Sequence, residues 1–416
     1  MTDATASLTT ADGKPLKAAL AASQARAKRK ALMLVAPLFL FVVITFVIPI
    51  GQMLFQSIYN PTFSDAAPAL DEWFGANPQG TVPDEAAFAA LAADLKLMRE
   101  ERTAGAAGTR INYDVAGTRS LFTAAARRAD DLAPPYREAI LALNEDWGDP
   151  MIWRAMRSAS SAFTPDFYLA ALDMTRDEAG KIVQVEERQR VYKKLFGRTL
   201  MLSGLITVLC MLLAFPIAHL LATLPLAKSN ILMILVLLPF WTSLLVRSTA
   251  WIVLLQQQGV INSALVALGI IDDQGRIAMI YNQAGTIIAM THILLPFMVL
   301  PLYSVMRTIP PSYVRAARSL GASSWTAFRR VYLPQTLPGI AAGALLVFIL
   351  AVGYYITPAL VGGADGQLIS NLIAFHMQKS LNWSLAAALA GLLLGGILLL
   401  YWLYDRLVGI DKMKLG

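Results

Sequence analysis

Cysteine, histidine and charged side chains are scarce in this chain of 416 residues. It has one cysteine and three histidines. Cys210 therefore has no partner for an intrachain disulfide, and its place inside an apolar run predicts a small buried side chain. His219 and His292 stand alone, without the spacing of metal ligands, so we expect structural roles for both. We predict neither a disulfide nor a metal site.

Sequence motifs for nucleotide hydrolysis and for metal-dependent catalysis are also absent. No G-x-x-x-x-G-K-[ST] pattern occurs, so the chain does not bind ATP through a P-loop. It has no H-E-x-x-H motif and no cluster of cysteine and histidine. We therefore predict no catalytic residue and no cofactor bound by this chain.

Charged residues make up 15% of the chain and hydrophobic residues 56%, whereas soluble domains carry about 25% charged residues. Long apolar runs account for the deficit of charge, which predicts an all-α polytopic membrane protein. Small residues recur every four positions in two of the runs, as expected of close helix contacts: Gly339 and Gly343, and Ala387, Gly391 and Gly395. The runs of near-spanning length are 31–57, 198–222, 230–256, 283–306, 338–360 and 384–404.

Basic residues are distributed unevenly among the connections between these runs. Four lie immediately before the first run, at 26–30, and the connection from the fourth to the fifth is basic from Arg307 to Arg330. The third-to-fourth and fifth-to-sixth connections carry only Arg276 and Lys379. By the positive-inside rule both termini are cytoplasmic, and a basic group at 193–198 follows a long translocated segment, which obeys the rule less strictly. No basic patch interleaved with aromatic residues predicts nucleic-acid binding.

The first 57 residues divide into a polar tail and an apolar run. Residues 1–30 are rich in alanine, serine and threonine, and we expect a disordered cytoplasmic tail. The apolar run that follows is about 20 residues long, enough to span a bilayer. No small-residue cleavage site follows it, so 31–57 is predicted to be a first transmembrane helix and not a signal peptide.

The connection after the first run, 60–196, has the size of a domain and contains more acidic than basic residues. Apolar residues recur at helical spacing in three of its segments, 84–102, 134–146 and 150–161. A connection of this length in a compact fold is usually functional. We predict a mostly helical insert on the outer, periplasmic side.

The cytoplasmic connection at 309–334 has the pattern of two short amphipathic helices. The first begins near Pro311 and stops at Gly321, a residue suited to the position after a helix. The second is capped by Ser323 or the next serine and is expected to end before Pro334. Their apolar faces need a cover, for which the chain's own helices, lipid headgroups and a soluble partner are all candidates.

Few polar side chains lie within the predicted runs, and no carboxylate lies in the core of any of them. Arg247 lies about 17 residues beyond the cytoplasmic start of the third run, about 25 Å along a helix. An arginine at that depth either belongs to a functional site or extends to the outer interface. The two tryptophans named below also fit an interfacial belt or the core. The candidates for lining a pathway are Trp241, Thr242, Arg247, Trp251, Tyr354, Tyr355, Thr357 and Asp365.

The cytoplasmic connection resembles the EAA loop of binding-protein-dependent ABC importer permeases. The order is Ala316-Ala317, Gly321-Ala322, Leu333-Pro334 and Pro338-Gly339-Ile340 before an apolar run. In that family the loop is a coupling helix that docks in a groove of the ATPase subunit. Arg315 stands where the family has a glutamate, which changes the charge presented to the ATPase. The resemblance implies a coupling role for Arg315, Ala316, Ala317, Gly321, Ala322, Trp325, Phe328 and Pro334.

Further stretches resemble the spermidine/putrescine permease branch of this family: 238–251, 259–262, 293–303 and 353–363. The resemblance covers the first run and about 198–410, but not the insert at 60–196. It implies a type I ABC importer permease of the bacterial inner membrane, with six transmembrane helices. Five of these helices form a core at 198–410 that carries the coupling loop 309–334.

The resemblance also implies partners. They are a cytoplasmic ABC ATPase dimer that binds ATP and Mg, a second permease subunit, expected to be a sister chain, a periplasmic solute-binding protein, and membrane lipid. A polyamine such as putrescine or spermidine is the leading solute, and an opine or another amino-acid derivative is the alternative. A secondary transporter or a membrane-anchored enzyme fits less well, because the spans lack acidic relay residues and the insert has no histidine or cysteine.

Overall fold

The computed structural model describes residues 16–78, 80–177 and 181–408 of the chain. It forms two compact units, Met1–Gln56 and Ser57–Gly416. The first unit contains a membrane-span candidate, and the second contains the predicted insert followed by the remaining candidates. The two units are described separately below.

The first unit is one long apolar helix. α1 (Leu16–Val42) continues through a π-helical turn (Val43–Val47) into α2 (Ile48–Gln56), and Ser23–Gln56 is long and apolar enough to cross a membrane. The expected disorder of residues 1–30 is wrong from Leu16 onward. The alanine-rich stretch there contains no glycine or proline and so has high helix propensity. The earlier residues of the predicted tail lie outside the described part of the chain.

The second unit begins with a helical insert. The predicted helices at 84–102, 134–146 and 150–161 are found as α4, α7 and α8, defined below. A short antiparallel hairpin follows, with Thr175 opposite Val183. Its strands of three residues are too short to show alternation, so the sequence pattern does not reveal them. The elements are α3 (Pro68–Ala76), α4 (Glu85–Glu100), α5 (Ala104–Asn112), α6 (Thr118–Arg127), α7 (Tyr136–Leu143), α8 (Pro150–Ser160), α9 (Asp166–Ala171), β1 (Met174–Arg176) and β2 (Ile182–Gln184).

α4 is the longest helix of the insert and supplies much of its core. Asp84 caps the first turn, because its carboxylate accepts a hydrogen bond from the Ala87 N–H. One face then packs in the core of the insert, where the rings of Phe88 and Trp153 meet with centroids 5.0 Å apart. Burying a large apolar side chain contributes about 1.5–3 kcal/mol relative to leaving it exposed. The buried side chains of that face are Phe88, Leu91, Leu95 and Met98.

The rest of the second unit is built from long apolar helices. Five stretches are long and apolar enough to cross a membrane: α10, α12 with α13, α14, α16 with α17, and α20. With the span of the first unit, the described residues contain six candidates, and the predicted all-α polytopic fold is confirmed. The helices are α10 (Tyr192–Thr223), α11 (Leu226–Leu237), α12 (Leu244–Leu255), α13 (Val260–Ala267), α14 (Gln283–Thr308), α15 (Pro311–Ser319), α16 (Ser324–Ala327), α17 (Leu333–Gly353), α18 (Ile356–Val361), α19 (Ile369–Gln378) and α20 (Trp383–Val408).

The predicted third span, 230–256, is interrupted. A 3₁₀ turn (Leu238–Trp241) ends α11, where Pro239 lacks the N–H that a continuing helix would need. Ser243 then begins α12, because its hydroxyl oxygen accepts a hydrogen bond from the Val246 N–H at 3.2 Å. Hydropathy stays high across the turn, so apolar length conceals the break.

The predicted fifth span, 338–360, is interrupted near its carboxyl-terminal end, between α17 and α18. The chain is extended at Tyr354, and α19 supplies partners for the carbonyl groups freed there. The Ser370 hydroxyl donates to the Tyr354 carbonyl at 2.5 Å, and the Asn371 amide donates to the Tyr355 carbonyl at 2.7 Å. These bonds allow irregular backbone at this depth, because exposed polar backbone is not tolerated in lipid.

α14 lies at the centre of the long helices and packs against both α10 and α17. Glycines of α17 make the contact close. A Cβ at Gly343 would lie 2.6 Å from the Met298 sulfur, and one at Gly339 would lie 3.0 Å from the Val305 Cβ. The predicted close contact is confirmed at these two glycines, whereas Gly395 of α20 has open space around it.

Asp173 joins the insert to the first long helix of the core. Its buried carboxylate accepts hydrogen bonds from the N–H groups of Val191, Tyr192 and Lys193, at 2.8–3.0 Å. These N–H groups have no partner within a helix, so a carboxylate there both pairs with them and complements the helix dipole. α10 therefore begins at Tyr192, six residues before the predicted start of the second span at 198.

Candidate functional site

The loop between α14 and α17 exposes three large apolar side chains. Tyr313 is 52% exposed, Leu320 90% and Trp325 68%. α15 begins with Pro311, whose fixed φ suits the first helical position. Val314 of the same helix packs against the core of the long helices, so the loop is held against the membrane domain on one side. Exposed apolar side chains gathered in one loop are typical of an interaction surface.

A tight corner separates the two helical parts of this loop. Gly321 has φ +89°, a left-handed conformation that favours glycine. The Leu320 N–H donates to the Ala316 carbonyl at 3.0 Å, and the Ala322 N–H donates to the Ala317 carbonyl at 3.1 Å. This is the hydrogen-bond pattern with which helices commonly end. A Cβ at this position would meet no atom within 4 Å, so space does not require a glycine here. The left-handed conformation alone favours it.

The second helical part of the loop does not end before Pro334, and that prediction is wrong. α16, capped by the Ser323 hydroxyl, continues through a π-helical turn (Phe328–Tyr332) into α17. Ser324–Gly353 is thus one apolar helical stretch. Pro334, which has no N–H to donate, lies just after the π-helical turn within this continuous stretch. The second part of the loop, with Trp325, and a membrane span therefore belong to one continuous helical stretch.

Four arginines give this loop a positive surface. All four side chains are exposed, and in the described part of the chain none of them forms an ion pair. Between them, the rings of Trp325 and Phe328 stack with centroids 5.7 Å apart. A surface that combines exposed apolar groups with uncompensated positive charge suits a partner with acidic side chains. The arginines are Arg315, Arg318, Arg329 and Arg330.

A second group of polar side chains lies where the two interrupted helices meet. The hydroxyl oxygens of Ser248 on α12 and Thr357 on α18 are 3.1 Å apart and hydrogen-bonded. The adjacent Arg247 lies close enough to His292 and Tyr354 to interact electrostatically with both. The structure thus brings together three residues predicted for a pathway: Arg247 of α12, Tyr354 between α17 and α18, and Thr357 of α18. Their role in a pathway stays a prediction.

Arg247 lacks a negative partner. Its Nε atom is buried without a hydrogen-bond partner, and no carboxylate pairs with it in the described ranges. The Trp251 ring N–H donates to His292 Nδ1 at 3.2 Å, so the neighbouring imidazole is already engaged. An unpaired cation within a membrane span is costly, and such groups usually face a cavity or a partner.

The remaining pathway candidates lie elsewhere. Trp241 is 73% exposed on the 3₁₀ turn, and the Thr242 hydroxyl donates to the Pro239 carbonyl. Asp365 lies in a glycine-rich loop at the other end of α18, with one carboxylate oxygen 3.8 Å from Arg198. Arg198, one basic residue of the 193–198 group, also donates a hydrogen bond to the Ala364 carbonyl of this loop at 3.0 Å.

Sequence reasoning did not select four residues of this polar group. Ser248 and His292 lie inside predicted spans, where a polar side chain is itself a signal of function. Ser370 and Asn371 bond the freed carbonyls, but they lie in a segment without a predicted helix, so the sequence held no signal for them. Among the described residues no group of three or more metal-ligating side chains occurs, and Cys210 is buried.

Comparisons with known proteins assign a family. Residues 198–409 match the binding-protein-dependent transport system inner membrane component family. The spermidine/putrescine transport system permease protein PotB of Escherichia coli is 36% identical over 245 residues, covering 56% of this chain and 88% of PotB. PotB of Haemophilus influenzae is 36% identical over 216 residues, covering 52% and 75%.

A solved structure is also similar. It is a bacterial ABC transporter involved in the import of the acidic polysaccharide alginate, with 20% identity and a TM-score of 0.44, covering 69% of this chain and 99% of that chain. The family match begins at residue 198 and so leaves out the insert. The chain belongs to the inner-membrane permease subunits of binding-protein-dependent ABC importers, on the spermidine/putrescine permease branch.

Proposed function

We propose that this chain forms half of a translocation pathway for a small solute, together with a second permease subunit that is a sister chain. A cytoplasmic ABC ATPase dimer binds ATP and Mg and docks on the 309–334 loop. The observation that carries this proposal is the exposed surface of Tyr313, Leu320 and Trp325, of which Trp325 lies on the same helical stretch as a membrane span. Both termini are cytoplasmic and the insert is periplasmic, as the distribution of basic residues supports.

The proposed cycle depends on partners that bind two arrangements of the long helices with different affinities. A periplasmic binding protein delivers the solute to the outer face and contacts the insert. Closure of the ATPase dimer moves the loop, and the long helices change between inward-facing and outward-facing arrangements. Each partner shifts this equilibrium only by the difference in its affinity for the two arrangements.

The test is an affinity purification of the tagged chain from native membranes in mild detergent, with identification of the co-purifying proteins. We expect an ATPase with a P-loop and a second permease subunit. A chain that purifies alone and moves solute in liposomes without ATP would be a secondary transporter, which would contradict the proposal.

For the solute, the names of the relatives support a polyamine such as putrescine or spermidine. One observation favours the second candidate, an amino-acid derivative such as an opine. Arg247 is an unpaired cation, and no carboxylate that would attract a polycation lies in the core of any predicted apolar span. The carboxylate of a solute that also carries an amine would neutralise the positive charge of Arg247.

Putrescine and ornithine separate these two candidates, because they share the diamine chain and differ by one carboxylate. Uptake of both is measured in vesicles with the whole importer and in the Arg247→Gln variant. Faster putrescine uptake, unchanged or increased in the variant, supports the polyamine. Faster ornithine uptake that falls about tenfold or more in the variant supports the amino-acid derivative, as expected for loss of a charge-assisted bond.

A further inference from the structure

A continuous series of aromatic rings leads from the exposed loop into the membrane domain. Trp325 stacks on Phe328 at 5.7 Å with 23° between the rings, and Phe328 stacks on Tyr332 at 6.0 Å with 27°. Exposure falls along this series, from 68% at Trp325 to 8% at Tyr332. The rings therefore begin at the surface proposed to meet the ATPase and end in the packed interior.

The series passes from this helix to α10 at two points. The Phe215 ring meets Phe328 edge-on, with centroids 6.0 Å apart. The His219 ring meets Tyr332 edge-on at 5.1 Å, and His219 Nδ1 and the Tyr332 hydroxyl are hydrogen-bonded at 3.0 Å. Edge-to-face pairs contribute beyond the area they bury, and a hydrogen bond in a low-dielectric interior is electrostatically stronger than in water.

The regular α-helical hydrogen bonding is interrupted in both helices that make these contacts. Phe328–Tyr332 is a π-helical turn, a feature that occurs mostly at functional positions. On α10, Pro216 lies between the two ring-bearing residues and cannot donate the hydrogen bond of its turn. The end of α10 is in turn bonded to α14, because Arg307 donates to the Ala222 carbonyl at 2.7 Å.

We infer that His219 and Tyr332 are positioning residues that transmit motion of the loop to the cytoplasmic end of α10, with Phe328 as the ring between them and the surface. The inference rests on the proposed function, since it requires that an ATPase acts on the loop. The rings form a stiff lateral contact, and Pro216 gives α10 a point at which to bend. A displacement of Trp325 therefore moves the last turns of α10, and Arg307 passes that movement to α14.

The test measures ATP hydrolysed per molecule of solute taken up, in proteoliposomes with the whole importer and with putrescine and ornithine as probes. Phe328→Leu breaks the ring series, and Tyr332→Phe keeps the ring but removes the hydrogen bond. We expect each to raise the ratio about threefold to fivefold, the effect of losing one hydrogen bond or aromatic contact. Phe328→Tyr keeps the ring and is expected to restore the wild-type ratio.

The matched control is Tyr401→Phe on α20, which removes a hydroxyl from a half-exposed ring outside the series. It is expected to leave the ratio unchanged. The double variant His219→Phe with Tyr332→Phe is expected to raise the ratio no more than either single change, because both remove the same bond. A ratio that stays at the wild-type value in Phe328→Leu and Tyr332→Phe overturns the inference. So does a loss of hydrolysis and uptake in equal proportion, which indicates a purely structural role. A wild-type importer without ATP-dependent uptake would instead refute the proposed function.

Discussion

At the scale of single residues, the contacts of polar side chains within apolar surroundings are what the sequence predicts least well. Arg247 and Tyr354 are visible in the sequence as polar residues within apolar runs. Their neighbours Ser370 and Asn371 are not, because they become relevant only when α19 folds back onto the break after α17. Spacing along a chain cannot report contacts made across helices.

Asp94 of the insert allows a prediction about pH. Its buried carboxylate accepts hydrogen bonds from the N–H groups of Ala69 and Leu70, at 3.0 and 2.8 Å. Burial nevertheless raises the pKa of Asp94 from 3.8 to about 6. The folded state therefore holds this proton more tightly than the unfolded state, so the stability it contributes is fully present below pH 4 and is lost as the pH rises through 6.

The expected size of this effect is about 3 kcal/mol, from about two pKa units. Asp94→Asn is expected to remove this contribution to the pH dependence between pH 4 and 7, because an amide does not titrate. The measurement is thermal unfolding of the purified protein across that range, followed by tryptophan fluorescence of the insert. Asp131→Asn, at an exposed position of the same insert, is the control. Equal pH dependence in wild type and Asp94→Asn would contradict the assignment.

At the scale of elements, apolar length predicts how many spans there are but not where they break. The predicted run 230–256 is divided at Pro239 and Ser243, since a proline and a capping hydroxyl alter hydrogen bonding and leave hydropathy unchanged. The loop shows the opposite error. Pro334 was expected to end a helix, yet the π-helical turn before it allows the helix to continue.

Gly321 allows a prediction at this scale. Gly321→Val is expected to disturb the corner between α15 and α16, because a left-handed conformation costs an L-residue about 1–2 kcal/mol. The loop would then present its apolar side chains in the wrong geometry. We expect at least a fivefold rise in ATP hydrolysed per solute molecule, measured in proteoliposomes.

Gly395→Val is the matched control for this change. Both glycines have open space around the Cβ position, but Gly395 is within a regular helix and only Gly321 has a positive φ. The control is expected to behave as wild type. Coupled transport that survives Gly321→Val would show that the corner does not set the geometry of the loop.

At the scale of the whole molecule, the second unit contains separate hydrophobic cores. The core of the insert draws on residues from Phe63 to Ala159. The junction with the long helices has a core of its own, in which Phe167 of α9 packs with Leu195 and Leu389. The helical character of the insert was predictable from its amphipathic segments. The junction was not, because α9 is short and its partners come from distant parts of the sequence.

The ends of the insert allow a prediction about its role. The Asn60 N–H donates to the Ala162 carbonyl at 2.8 Å, and the Thr164 N–H donates to the Ile58 carbonyl at 2.9 Å. The chain therefore enters and leaves the helical insert at adjacent points. Replacing residues 61–161 with two glycines removes the insert core and leaves the junction core in place.

This deletion is expected to retain membrane insertion and co-purification with the ATPase. It should weaken docking of the binding protein at least tenfold, measured with reconstituted importer. Replacing the loop 272–275 with glycine and serine, elsewhere on the proposed outer face, is the control. Docking that is equally strong without the insert would reject its role as a contact surface.

The carboxylate of Asp173 has a consequence for the order of biosynthesis. Chains fold from the amino terminus as they are made, so Asp173 and α9 are complete before α10 emerges. The cap that fixes the start of α10 is thus available as soon as that helix forms. Leu389, which supplies the other side of the junction core, is synthesised almost 200 residues later. The junction core therefore closes only after the last span is made, so its completion brings together the ends of the second unit's membrane domain, α9 and α10 with α19 and α20.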